Sequence, residues 1–87
     1  MFLEAMVRAG ATDPFDGSEI TLHSDIHHKM GKIGYADQWA IDNEIPLVID
    51  PRHFLAMNRP GHTWVTEHSK EAIEKGWSES RAKVLII

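Results

Sequence analysis

Asp25-Ile26-His27-His28-Lys29-Met30-Gly31-Lys32 sets two adjacent histidines between an alternating apolar run and a basic, glycine-containing turn. Upstream, Glu19 to Ile26 has Ile20, Leu22 and Ile26 on one face at period two and Thr21, His23 and Asp25 on the other, which predicts a strand running into His27 and His28. Neighbouring side chains at a strand end point in different directions, so one imidazole can hold a metal while the other faces a substrate water.

Outward from this pair, Gly31 and Gly34 bracket a turn, and Tyr35 to Glu44 reads as a helix carrying Tyr35, Trp39 and Ile41, ended by Pro46. Arg52 to Met57 predicts a short second strand. Arg59-Pro60-Gly61 breaks that pattern ahead of a helical run from His62 through Lys75, closed by Gly76. Ser69 resembles an N-cap, so the run is expected to be jointed near His68. At the N-terminus, Phe2, Leu3, Met6 and Val7 repeat at helical spacing before Gly10, and Thr12 to Gly17 is a dense turn signal. Trp39, Trp64 and Trp77 read as core anchors, and His23 and His68 as surface residues. Asp25 is either a partner to a site histidine or a solvated carboxylate. The apolar end Val84-Leu85-Ile86-Ile87 is expected to pack on the domain or on a partner, including a second copy in a homodimer.

Eighty-seven residues support one core, so residues 1–87 are expected to form one α+β domain. Apolar residues at 43% and charged residues at 25% exclude wholesale disorder. No apolar run approaches the ~20 residues of a membrane span. The first ten residues carry Glu4 and Arg8 where a signal peptide would be uniformly apolar, so the expected location is cytoplasmic. With no cysteine, disulfides and thiolate metal sites are excluded. A net charge of -4 argues against a uniformly basic nucleic-acid surface. The distribution is uneven, however: 26–36 and 51–66 hold Lys29, Lys32, Arg52 and Arg59, four of the six histidines and no carboxylate.

Taken in order, Asp25 to Lys32, Arg52-His53-Phe54-Leu55-Ala56, Gly61-His62-Thr63-Trp64-Val65 and Ala72-Ile73-Glu74-Lys75-Gly76-Trp77 resemble the HNH endonucleases, in particular the small phage and prophage members. The resemblance covers 25–77. It implies a ββα-metal (HNH, or His-Me finger) core with flanking short helices, and a divalent metal ion among Zn, Ni, Co, Mn and Mg. It implies hydrolysis or nicking of double-stranded DNA in a bacterial host cell, beside phage packaging proteins. By position, His27 and His62 are the implied metal ligands and His28 the general base. His53 fills the slot usually held by Asn, which orients the base or contacts the scissile phosphate. Lys29, Lys32, Arg52 and Arg59 are the implied DNA contacts. The chain departs from the family at Thr66, where many relatives have a further histidine one turn after the one at His62. His68 cannot substitute on an unbroken helix, lying about 240° around from His62. Asp13 to Gly17 and Asn58 to Gly61 stand where relatives carry two Cys-x-x-Cys pairs for a structural zinc, so turn chemistry is expected to replace that zinc. The basic N-terminal arm of many relatives has no counterpart, and DNA affinity is expected to be weak. The rival expectation is a catalytically weakened HNH scaffold that binds DNA or protein.

Overall fold

The computed structural model describes residues 1–86. Ile87, the last residue of the apolar end, lies outside them. The chain is mixed α and β. Helix α1 (Phe2–Arg8) is followed by a long irregular segment, then strand β1 (Asp25–His28), helix α2 (Gln38–Asp42), two single 3-10 turns, strand β2 (Phe54–Met57), and helices α3 (Arg59–Glu67) and α4 (Ser69–Glu74). β1 and β2 pair antiparallel, with Asp25 opposite Met57 and His28 opposite Phe54. No helix among the described residues is long and apolar enough to cross a membrane.

The core lies on both faces of this two-stranded ribbon. Met57, Val65 and Ala72 are buried between β2, α3 and α4, with Leu55, Trp64 and Trp77 packed around them. Leu3, Ile20 and Ala56 are buried on the opposite side, with Phe2, Met6 and Ile26. Alternation along β2 explains the division, since Leu55 and Met57 share one face and Ala56 the other.

Asp13 fastens the N-terminal turn to the start of α3. Its buried carboxylate accepts from the Phe15 backbone N–H at 2.7 Å and from the Asn58 N–H. The Asn58 side chain donates back to Ser18 Oγ at 2.7 Å and to the Glu19 carbonyl at 3.0 Å. At Gly61, a Cβ would sit 2.8 Å from Phe15 Cβ and 3.1 Å from Asp13 Oδ1, so only glycine lets the two segments meet this closely. The two segments, 13–19 and 58–61, are thus joined by a carboxylate and amide network.

Five expectations are corrected. β1 begins only at Asp25, because Thr21 and Ser24 bond each other's backbone and side chain (Thr21 N–H to Ser24 Oγ, 2.9 Å; Ser24 N–H to Thr21 carbonyl, 3.1 Å) and curl the chain. Leu22 is left 58% exposed as a result. β2 begins at Phe54 and not at Arg52, since Pro51–His53 is a 3-10 turn capped by Asp50. Arg59-Pro60-Gly61 opens α3 instead of preceding it: proline lacks only an N–H that the first turn leaves unpaired anyway. Trp39 is not a core anchor. It is half exposed, with the Arg52 guanidinium 4.5 Å over its ring. The expected 35–44 helix shortens to Gln38–Asp42, starting where Asp37 accepts from the Ala40 N–H at 2.9 Å.

The C-terminal segment returns to the body of the domain. Leu85 and Tyr35 exchange both backbone hydrogen bonds at 2.8 Å, leaving Val84 half-buried and Ile86 exposed.

Candidate functional site

β1 directs Asp25 and His27 to the face of the ribbon that α3 covers, and His62 reaches that face from the first turns of α3. The His27 and His62 rings lie 5.3 Å apart between centroids. Asp25 Oδ2 is 3.0 Å from His62 Nδ1 and 3.0 Å from Arg59 Nε. A carboxylate only accepts, so His62 Nδ1 carries a proton, and in the neutral ring Nε2 keeps its lone pair. The His62 hydrogen bond, aided by Arg59, holds the Asp25 carboxyl below the usual aspartate range. Burial, reinforced by the positive charge His62 can take up, pushes His27 down to about 4. His27 is therefore a neutral imidazole at pH 7, the state a metal requires.

His28 occupies the other face of the strand. Its Nε2 is 3.1 Å from the Val48 carbonyl, and its ring meets Phe54 edge-on at 4.8 Å. Since a carbonyl only accepts, Nε2 holds the proton and Nδ1 is the basic nitrogen. His27, His28, Lys29 and Thr66 line an open cleft of about 360 Å³, together with Ser78 and Glu79.

His53 precedes β2 and is half-buried, its Nδ1 2.6 Å from Glu79 Oε2. Lys32 is exposed, and Lys29 is half-buried at the cleft edge. Arg59 is mostly exposed although it touches Asp25. Arg52 is committed internally: it meets buried Asp50 at 2.7 Å and Asp37 at 3.0 Å, which raises its own pKa and lowers both carboxyls. Its charge is balanced twice over within the domain.

A divalent ion, which the family resemblance implies, would find two neutral-capable imidazoles, His27 and His62, with Asp25 orienting the second. The donor types fit a transition metal better than Ca²⁺. Among the described residues, no three His, Asp or Glu side chains form a metal-holding group. Thr66 adds nothing, because its hydroxyl donates to the His62 carbonyl at 3.0 Å. Water would have to complete the coordination.

Sequence reasoning overlooked Ser78 and Glu79. Ser78 Oγ is 2.8 Å from His27 Nε2, and Glu79 holds His53. Both lie in a short polar stretch without periodicity, and only the fold reveals what they touch. Comparison of the chain with protein-family models, curated proteins and solved structures finds no match.

Proposed function

We propose that this protein is a metal-dependent endonuclease of the HNH type, of phage or prophage character, which nicks or cuts double-stranded DNA through a ββα-metal core over 25–77. The observation that carries the reading is the junction of β1 with α3, where His27 and His62 come together and Asp25 fixes the ring of His62. A divalent ion held there would stabilise charge on the phosphate and on the departing 3′ oxygen. His28 has the general-base role: Nδ1 takes the proton of a water whose oxygen attacks phosphorus, while Val48 and Phe54 keep the ring from turning. Lys29, Lys32 and Arg59 are available to neighbouring phosphates; Arg52 shapes the domain instead. Packaging proteins of a phage are the partners this reading carries with it.

Nicking of supercoiled plasmid with Mn²⁺, Ni²⁺, Zn²⁺ or Mg²⁺ between pH 6 and 9 tests the reading. His28→Ala is expected to lose ~10²- to 10⁴-fold in rate and keep its metal by calorimetry, whereas His27→Ala loses both. Absence of cutting by the wild type with every metal, or an unchanged rate in His28→Ala, overturns it. The second reading, a scaffold that binds DNA or protein without cutting, is favoured by one observation: Thr66 supplies no ligand on the helix face next to His62.

A further inference from the structure

Ser78 to Arg81 leave α4 and cross the end of β1, and four consecutive residues are tied there to the cleft. The Glu79 N–H donates to the Lys29 carbonyl at 2.8 Å, and the Lys29 N–H donates to the His53 carbonyl at 2.8 Å. Three chain segments therefore run side by side, with Lys29 in the middle. The Glu79 side chain then closes the circle on His53, 2.6 Å from Nδ1. Arg81 bonds the Met30 carbonyl and, at 2.9 Å, the Ile33 carbonyl, its guanidinium crossing directly over Gly31.

We propose that Glu79 is a positioning residue that acts through His53, deciding which nitrogen of that ring is the hydrogen-bond acceptor. A carboxylate cannot donate, so His53 Nδ1 must carry a proton, and in the neutral ring Nε2 is the nitrogen left with its lone pair. A neutral imidazole in water prefers the opposite tautomer, with the proton on Nε2, so the ring depends on Glu79 for this arrangement. The other carboxylates near the ring, Asp37 and Asp50, are taken up by Arg52. His53 directly precedes Phe54, which pairs with His28 across the ribbon. On the nuclease reading, the unprotonated Nε2 of His53 is the acceptor that would orient an O–H of the attacking water. This last role rests on the nuclease reading; the control of the tautomer by Glu79 does not.

The test uses the ¹⁵N-labelled 87-residue chain and long-range ¹H–¹⁵N correlation of the histidine rings at pH 7.5, with nicking kinetics alongside. Wild-type His53 is expected as the Nδ1–H tautomer, moving toward Nε2–H in Glu79→Ala. In the same variant kcat for nicking falls by roughly 10- to 100-fold with KM for DNA unchanged. In a His53→Ala background Glu79→Ala has no further effect on kcat. A wild-type Nε2–H ring, a tautomer indifferent to Glu79→Ala, or an equal kcat loss without His53 overturns the proposal. If the wild type cuts no DNA, the nuclease reading fails by itself, and the tautomer measurement still decides the part played by Glu79.

Discussion

Thr66 is the residue at which a single change should alter the chemistry most. It is exposed, it belongs to the same continuous helix as His62, and it stands one turn further on. Its replacement therefore disturbs no packing, and the hydroxyl bond it loses is to a carbonyl already within the helix. Thr66→His should raise Zn²⁺ or Ni²⁺ affinity on the order of a hundredfold, taking about 10–16 kcal/mol for a four-ligand zinc site as the guide to each ligand's share. Calorimetric titration checks this, and unchanged affinity would mean that the new imidazole does not face His27. The sequence singled out His27, His28, His53 and His62 as candidates because a motif is a matter of residue type and order, and the structure brings His27 and His62 together. It did not reveal Ser78 or Glu79, because a serine and a glutamate in a polar stretch look alike whether they touch solvent or a ring.

At the scale of elements, the turn around Asp13 does the work of a staple. Removal of its carboxylate strands the N–H groups of Phe15 and Asn58 in a site from which Asp13 itself is 99% shielded, with 1% exposure. Asp13→Ala should cost about 3 kcal/mol, the sum expected for two charge-assisted hydrogen bonds. Asp16→Ala should cost much less, since Asp16 is exposed and bonds only Ser18. Urea denaturation of the two variants gives the comparison, and equal losses would deny the staple. Periodicity foretold α1 and the existence of two strands, and the cap residue expected at Ser69 foretold the joint, although the cap itself is His68. It misjudged the start of β1, where the Ser24 hydroxyl accepts from the Thr21 N–H and the Thr21 hydroxyl from the His23 N–H, outcompeting a sheet ladder that hydropathy alone would favour. It misjudged the start of α3 for a related reason: Pro60 and Gly61 signal a break in general, yet one suits a first turn and the other a close contact.

For the whole molecule, acid is the revealing variable. His27 titrates near 4 in the fold against an ordinary value of 6.5, so between those limits the unfolded chain binds more protons than the folded one. Unfolding free energy therefore rises with pH across that window, and metal-free protein should lose stability as pH falls from 6.5 toward 4. Below it, Asp25, Asp37 and Asp50, whose carboxyls are held low by His62 and Arg52, should add a second loss in the same direction. Denaturation in chelator at pH 7 and pH 4.5 should show a smaller drop for His27→Asn than for the wild type, and equal drops would contradict the burial of that ring.

The ribbon itself has a kinetic consequence. β1 and β2 are neighbours in space, yet residues 29–53 separate them along the chain, so no tight hairpin can zip them together. A long loop must close before the first ladder bond forms, and the entropy of that closure opposes the ribbon until α3 and α4 bury its apolar face. His27 and His62 consequently meet only in the cooperative step that folds the domain. The nascent or refolding chain passes through no local hairpin that brings the two rings together early.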